Sequence, residues 1–155
     1  NIEIDNIRTF KNEKVGRIIA RGSGHLNPCH VLKDKIPSMI DEIPILSLIC
    51  SHVKGRSVID GLKELKYKES DRLSGIWSIL SEMGVDIDSP REDSIEINGD
   101  NKLYNTNKLR NFNDHRLAMM ISCAQILSGN KVTFDDCINI SFPKFQELIN
   151  KVVVD

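Results

Sequence analysis

Apolar residues recur along the chain at two spacings, alternate positions typical of strands and steps of three or four residues typical of helices. The segment Val15 to Arg21 (VGRIIAR) predicts a short strand that a glycine-rich turn ends. From Asp41 to Val53, apolar residues at helical spacing predict a largely buried helix. Asp41 is the candidate N-cap of this helix, and Pro44 is tolerated because it falls in the first turn.

The same alternation continues through the middle of the chain. Ser57 to Asp60 (SVID) predicts a strand, and Glu69 to Met83 predicts a helix with one apolar face. Val85 to Asp88 and Ser94 to Asn98 then alternate apolar and polar residues on either side of Pro90, as the strands of a hairpin do. A βαβα run followed by two strands results.

A second round of elements follows this hairpin. Asp114 opens an apolar helix, Lys131 to Phe134 (KVTF) predicts a strand, and Phe142 to Val153 predicts a last helix. In each round an Asp that opens a helix precedes a Gly by 14 or 15 residues, Asp41 before Gly55 and Asp114 before Gly129. This order predicts an α+β fold of layered helices and sheets, built from two βαβαββ units at approximately residues 15–100 and 101–155.

The composition excludes several classes of partner. The chain has 155 residues, of which 40% are hydrophobic and 28% charged, as expected of a globular domain with a core. Its net charge of -1 and its lack of a basic stripe argue against nucleic acid as a partner. The apolar stretch Ile43 to Cys50 is too short to span a membrane, and no signal-peptide pattern opens the chain, so we expect a cytoplasmic protein.

The cysteines do not follow a disulfide or metal-binding pattern. No CxxC pair occurs among Cys29, Cys50, Cys123 and Cys137, and we expect them to be reduced and mostly buried. His25 and His30 flank Cys29, but no second group of ligands with zinc spacing follows. We interpret this segment as a polar loop rather than as a metal site.

A charged cluster in the sequence LKYKESDR, Leu65 to Arg72, precedes an apolar run. Lys68 and Arg72 at a helix start would place two cations beside free backbone N–H groups, an arrangement that binds anions. Glu69 beside them could donate a proton. Equally, Glu69 and Arg72 could form an ordinary surface pair three residues apart, and the residues alone leave both interpretations open.

A second cluster, NDHR, ends at Arg116 and also stands at a predicted helix start. Asp114 would cap the helix, and Arg116 could either lie on the surface or grip a carboxylate or phosphate with two parallel hydrogen bonds. Asp41 could likewise be a cap or a general base. If the helix starts converge, Lys68 and Arg72 would join Arg116 and two carboxylates around a small, multiply anionic ligand.

Four segments in this order resemble the C-terminal part of the 5-enolpyruvylshikimate-3-phosphate synthase family. They are PSMIDEIPIL (Pro37 to Leu46), GLKELKYKESDR (Gly61 to Arg72), NDHRLAM (Asn113 to Met119) and SFPKF (Ser141 to Phe145). The resemblance implies transfer of the enolpyruvyl group of phosphoenolpyruvate to the 5-hydroxyl of shikimate 3-phosphate, with release of phosphate, on the route to chorismate and the aromatic amino acids. It also implies catalysis without metal or organic cofactor.

The resemblance further implies a fold and a role for particular residues. Family members have two lobes, each an inside-out α/β barrel of three βαβαββ units, with the ligands between the lobes. The implied catalytic residues are Asp41, which accepts the 5-hydroxyl proton, Lys68 near that hydroxyl, and Glu69, which protonates the methylene carbon of phosphoenolpyruvate. Arg72 and Arg116 match the arginines that hold phosphoenolpyruvate, and His115 touches the substrate or supports a residue that does.

The sequence also departs from the family pattern. Ile140 stands where many members have Lys and others Thr, and an alkyl side chain cannot contact a phosphate as Lys does. The N-terminal lysine-serine motif, the glycine-containing phosphate loop and a further arginine have no counterpart. Because the chain also opens at Asn1 in polar sequence, we expect a partial C-terminal lobe, inactive by itself, whose partner is the missing N-terminal lobe of the same polypeptide.

Two alternatives remain open at this point. A related enolpyruvyl transferase that acts on UDP-N-acetylglucosamine shares the architecture, although KESDR and DHR resemble the shikimate branch. A non-catalytic, anion-binding domain could also keep the fold without the chemistry. The presence of Asp41, Lys68, Glu69, Arg72 and Arg116 argues against simple decay of a site.

Overall fold

The computed structural model describes residues 2–22, 24–88, 92–100, 102, 105–106 and 108–152. Within them the strands are β1 Ile2–Phe10, β2 Glu13–Ala20, β3 His30–Val31, β4 Gly55–Asp60, β5 Asp86–Ile87 and β6 Ser94–Gly99. The α-helices are α1 Ile43–Ser51, α2 Arg72–Met83, α3 His115–Leu127 and α4 Phe145–Val152. Every helix in the described part of the chain is too short or too polar to pass through a lipid bilayer.

The hairpin of β1 and β2 is a sheet of its own. The strands pair antiparallel from Ile2 opposite Ala20 to Phe10 opposite Glu13, with a register shift along β1. The predicted strand Val15 to Arg21 is confirmed except at Arg21, since β2 ends at Ala20, but it is not the first strand of the larger sheet. Isoleucines on both strands stay largely exposed, and a two-stranded hairpin with so little burial is only marginally stable in water.

The larger sheet has the strand order β3-β4-β6-β5. β3 runs parallel to β4, whereas β6 is antiparallel to both β4 and β5. Because α1 connects β3 to β4 and α2 connects β4 to β5, the chain from His30 to Gly99 has the order βαβαββ. The predicted strand Ser57 to Asp60 and the hairpin arms are confirmed, and Pro90 lies outside the described residues.

The main core lies where α1 and α2 pack against this sheet and where α3 packs against α1 and α2. At one point the packing permits only glycine: a Cβ on Gly99 would lie 2.2 Å from the carbonyl oxygen of Val53 and 2.3 Å from that of Cys50. The end of β6 therefore lies directly against the end of α1. Among the core side chains that are almost fully buried are Ile43, Leu48, Ile59, Leu62, Leu73, Ile76, Leu80, Ile95, Ile97 and Leu117.

Two predicted helix starts were wrong. Ile40–Glu42 forms a 3₁₀ turn and α1 begins at Ile43, so Asp41 is not an N-cap. The carboxylate of Asp41 instead accepts a hydrogen bond from Arg72. The predicted helix over Glu69 to Met83 begins only at Arg72, because Asp71 caps it by accepting the backbone N–H of Ser74.

The second half of the chain follows the prediction in its helices but not in its strand. Asp114 caps α3, as predicted, and α4 begins three residues later than predicted, with Val153 outside the described residues. Residues 131–134 form no ladder with a described strand. The N–H of Thr133 donates to Oε1 of Gln125 over 2.7 Å, and its carbonyl accepts from Ser122, so side chains of α3 replace a strand partner.

The layers therefore match the α+β expectation, while the division into two units stays a prediction. The predicted boundary near residue 100 falls in 101–107, most of which lies outside the described residues.

The fold brings three segments together at one side chain. The segment before α1, the start of α2 and the cap of α3 meet at the side chain of Arg72.

Candidate active site

The site is built around the guanidinium of Arg72, the first residue of α2, of which only 1% is exposed. Its Nε donates to Oδ2 of Asp114 over 2.8 Å, and its Nη1 donates to Oδ1 of Asp41 over 2.9 Å. Its Nη2 donates to Oε2 of Glu69 over 2.5 Å. A buried charge without partners would cost several kcal/mol, about 3–5 in measured cases, so these carboxylates hold Arg72 in its charged form.

Asp114 is the most buried of these carboxylates, with no exposed surface. Its Oδ1 accepts the backbone N–H groups of Arg116 and Leu117, at 2.9 and 3.4 Å, which caps α3. Its Oδ2 accepts Nε of Arg72 and, over 3.0 Å, the hydroxyl of Ser70. One side chain thus joins the start of α2 to the start of α3.

Burial and hydrogen bonding act on this pair in opposite directions. Burial alone disfavours the charged carboxylate, but the hydrogen bonds and charge of Arg72, with the bonds from Ser70 and the backbone, outweigh it and lower the pKa of Asp114. Burial likewise disfavours the charged guanidinium, yet the bond from Asp114 and the surrounding carboxylates raise the pKa of Arg72. Both groups are therefore ionised at neutral pH.

Asp41 and Glu69 form the open side of the site, with 40% and 52% of their side chains exposed. Besides Arg72, two further cations approach Asp41: Nζ of Lys68 at 3.8 Å and Nη2 of Arg116 at 3.5 Å. We refer to these side chains together as the Arg72 cluster. Its members are Asp41, Lys68, Glu69, Arg72, Asp114 and Arg116.

The charges of the Arg72 cluster balance, because its cations and its carboxylates are equal in number. An anionic ligand therefore has to compete with a carboxylate for the cations. Asp114 is inaccessible, whereas Asp41 and Glu69 are exposed and can give up their hydrogen bonds. The Nη1 and Nη2 groups that they occupy form the edge of a guanidinium that fits a carboxylate or phosphate with two parallel bonds.

The structure brings together five of the residues singled out from the sequence, Asp41, Lys68, Glu69, Arg72 and Arg116. His115 is buried at the first position of α3, and no hydrogen bond or ion pair between described residues joins it to the cluster. Ile140 is 75% exposed and contributes no charge to the site.

Sequence reasoning missed part of the site. Asp114 was assigned only as a helix cap, and Ser70 and Glu42 were not assigned at all. Glu42 lies 3.9 Å from Nη1 of Arg116 at the edge of the cluster. A signal for Asp114 was present, because an acidic cap inside one charged motif is a natural partner for the arginine of another.

An apolar groove of about 210 Å³ lies beside Arg116, and its lining does not suit a small anion. Its apolar residues include Met119, Met120, Cys123, Phe142 and Phe145.

In the described ranges no group of three or more His, Cys, Asp or Glu side chains could hold a metal ion.

Comparison with known proteins identifies one family. The family model described as EPSP synthase (3-phosphoshikimate 1-carboxyvinyltransferase) matches residues 3–149 of the chain. A relative named 3-phosphoshikimate 1-carboxyvinyltransferase from Petrotoga mobilis is 38% identical over 154 residues, which is 98% of this chain and 35% of that protein. A relative with the same name from Thermodesulfovibrio yellowstonii is 41% identical over 150 residues, 96% of this chain and 34% of that protein.

Solved structures show the same likeness. The EPSP synthase from Acinetobacter baumannii superposes with a TM-score of 0.89 at 32% identity, over 97% of this chain and 36% of the solved one. A second structure of EPSP synthase from this organism gives a TM-score of 0.85 at 29% identity, over 97% of this chain and 35% of the solved one. The chain spans about a third of the length of the curated relatives it matches.

Proposed function

Since this chain belongs to the EPSP synthase family, we propose that it supplies the Arg72 cluster to a 3-phosphoshikimate 1-carboxyvinyltransferase. The reaction would move the enolpyruvyl group of phosphoenolpyruvate to the 5-hydroxyl of shikimate 3-phosphate. The observation that carries this proposal is the meeting of the 3₁₀ turn before α1, the start of α2 and the cap of α3 at Arg72, where Lys68 and Arg116 also approach Asp41. It supports a site for a small substrate with several negative charges.

Arg72 and Arg116 are proposed to hold phosphoenolpyruvate. The Nη1 and Nη2 groups of Arg72 would exchange the carboxylates of Asp41 and Glu69 for an anionic group of the substrate. This exchange leaves the charge of Arg72 compensated throughout. Binding of one substrate therefore also frees the two carboxylates that the chemistry needs.

The freed carboxylates take opposite roles in proton transfer. Asp41 would accept the proton of the 5-hydroxyl, whose oxygen forms a bond to C2 of phosphoenolpyruvate. Glu69, which has to carry a proton when the reaction begins, would donate that proton to the methylene carbon C3. The resulting tetrahedral intermediate loses its C2–O bond to phosphate, which leaves with the proton held by Asp41. C3 returns its proton to Glu69, and the enolpyruvyl product forms.

Lys68 would stabilise the negative charge that develops between Asp41 and Glu69 during the reaction. Its Nζ lies 3.8 Å from Oδ1 of Asp41, so its positive charge is close to the carboxylate that accepts the proton. Charge and proton transfer by positioned side chains supply the catalysis in this proposal. The resemblance implies no metal or organic cofactor, and a cytoplasmic location remains a prediction.

The remaining two thirds of the relatives' length would supply the other side of the cleft. A domain that presents one set of charges leaves a bound substrate open to water, which weakens electrostatic stabilisation. We therefore expect negligible turnover from the 155-residue chain alone. The partner in catalysis would be the N-terminal lobe of the same polypeptide.

A chimaera tests the proposed function. In it, this chain replaces the matching 154 residues of the Petrotoga mobilis relative. We expect release of inorganic phosphate when both phosphoenolpyruvate and shikimate 3-phosphate are present, and none when either is omitted. A folded chimaera without activity would count against the proposal, as would phosphate release from the isolated chain at a rate typical of enzymes, about 1 s⁻¹ or more.

The same assay separates the related reaction. If the site served the transferase that acts on UDP-N-acetylglucosamine, phosphate release would depend on that nucleotide sugar instead of shikimate 3-phosphate. The family model that matches this chain favours the shikimate substrate.

A further inference from the structure

Asp114 divides its two carboxylate oxygens between two helices. Among the described residues, Oδ1 accepts backbone N–H groups of the first turn of α3, the turn that carries Arg116. Oδ2 accepts side chains of the segment around the start of α2, Nε of Arg72 and the hydroxyl of Ser70. A single buried carboxylate therefore contacts both Arg72 and the helical turn that carries Arg116.

The bond to Nε constrains the guanidinium differently from the other two bonds. Nε lies on the inner edge of Arg72, and its acceptor Asp114 is fully buried. Nη1 and Nη2 face the exposed carboxylates of Asp41 and Glu69, which a ligand can displace. When that exchange happens, the Nε bond is the one that keeps the plane of the guanidinium in place.

We propose that Asp114 is a positioning residue, which fixes the orientation of Arg72 and its separation from Arg116 so that both can grip one anion. This inference rests on the proposed function, because it concerns the same phosphoenolpyruvate site. It assigns no contact between Asp114 and the substrate. The gain is preorganisation: a long side chain that is already oriented loses less conformational entropy on binding.

Asparagine at this position cannot reproduce the arrangement. An amide has one acceptor oxygen and one donor nitrogen, whereas both oxygens of Asp114 accept. If the oxygen caps α3, the NH₂ group faces the N–H of Arg72 and the two donors repel. Asp114→Asn can thus keep the cap of α3 while it removes the hydrogen bond to Nε of Arg72.

Asp71 offers a matched control for the cap. It is the N-cap of α2, accepts the N–H and hydroxyl of Ser74, and makes no bond to Arg72's guanidinium. Asp71→Asn therefore perturbs the start of the same helix without touching the buried pair. Ser70→Ala, which removes one donor to Oδ2 of Asp114, provides a milder variant at the site itself.

The kinetic test uses the active chimaera. For Asp114→Asn we expect the KM for phosphoenolpyruvate to rise by about tenfold or more while the KM for shikimate 3-phosphate changes by less than about twofold. Asp71→Asn should leave both KM values within about twofold of the parent. Ser70→Ala should raise only the KM for phosphoenolpyruvate, by about two- to threefold. Equal changes in both KM values, or the same change with Asp71→Asn, would overturn the proposal.

Two further outcomes are decided by other readouts. If Asp114→Asn does not fold, as judged by far-UV circular dichroism, Ser70→Ala decides, and an unchanged KM for phosphoenolpyruvate then overturns the proposal. If the unsubstituted chimaera is inactive, the proposed function fails, and NMR of the labelled 155-residue chain tests the orientation of Arg72 separately. We expect its Nε–H signal to exchange slowly with water in the parent and in Asp71→Asn, and rapidly in Asp114→Asn; slow exchange in all three would contradict the positioning role.

Discussion

Nε of Arg72 donates to Oδ2 of Asp114 over 2.8 Å, and neither side chain has appreciable contact with solvent. Removing one partner leaves the other charge buried without its strongest bond. The pair therefore serves two purposes at once, since it stabilises the junction of α2 with α3 and it orients the guanidinium toward the exposed carboxylates of the site.

Loss of the arginine should be costly for folding. We expect Arg72→Ala to lower the free energy of unfolding by about 3–5 kcal/mol, because Asp114 would be left as an uncompensated buried charge. Urea denaturation of the chain measures the loss. Arg17→Ala is the control, because it breaks an exposed ion pair with Asp5 in the hairpin, and such pairs contribute little to stability. Similar losses for both variants would contradict the prediction.

Stability should depend on pH through Asp114. Its pKa is lower in the folded chain than its ordinary value, because Arg72 outweighs the effect of burial, so the unfolded chain binds the proton more readily. The contribution is complete above the ordinary pKa of about 3.9 and is lost as pH falls further, through the folded-state pKa. The urea midpoint should therefore drop more steeply below about pH 4 in the parent than in Asp114→Asn.

A second acid of the chain contributes to stability with the same sign. The backbone N–H of Cys137 lowers the pKa of Asp135, the cap of the 3₁₀ turn that precedes α4. Asp135→Asn should reduce the acid dependence less than Asp114→Asn does, since Asp135 is exposed. A larger reduction from Asp135→Asn would contradict the assignment of the main effect to Asp114.

The contact between β6 and α1 should not tolerate a methyl group. We expect Gly99→Ala to cost about 3 kcal/mol or more, the upper end for overpacking, because its Cβ would meet the backbone carbonyls of Val53 and Cys50 rather than a flexible side chain. Gly22→Ala is the control, as a Cβ there would have no neighbour within 4 Å. Thermal unfolding of the two variants measures the difference, and equal Tm values would contradict it.

Two cysteines should resist alkylation while the chain is folded. Burial raises the pKa of Cys50 to about 11, and burial with the nearby carboxylate of Asp135 raises the pKa of Cys137 to about 12. At pH 8 a thiol with a pKa near 11 is ionised in only about one molecule in a thousand, and the thiolate is the reactive form. Iodoacetamide followed by mass spectrometry should modify both residues in urea but not in buffer; rapid modification in buffer would contradict this.

The elements that the sequence predicted well are those with local signals. β4, α2 and α3 each combine apolar periodicity with a cap or a glycine stop, and these features act within one turn or one strand. The strand predicted at Lys131 to Phe134 failed because its backbone groups bond to Gln125 and Ser122 of α3, partners that composition does not indicate.

The site was predictable in its members but not in its connections. Asp41 had two possible roles, and the choice between them depends on Arg72, which is 31 positions away in the chain. For Asp114 the cap is a local role that the sequence indicates, whereas its second bond joins it to Arg72, 42 positions away, so its acidic type suggested an arginine partner without indicating which one. The local sequence pattern indicates the roles that a residue can take. Its neighbours in the folded chain decide which of those roles it has.

If the Arg72 cluster is the substrate site, activity depends on Glu69 far more than on a nearby acid outside the cluster. We would measure kcat/KM of the chimaera with Glu69→Gln against Glu64→Gln, a control substitution of an exposed acid in the preceding 3₁₀ turn. We expect Glu69→Gln to lower kcat/KM by about 100-fold or more, as loss of a general acid does, while Glu64→Gln has little effect. Activities of the two variants within about twofold of each other would contradict it.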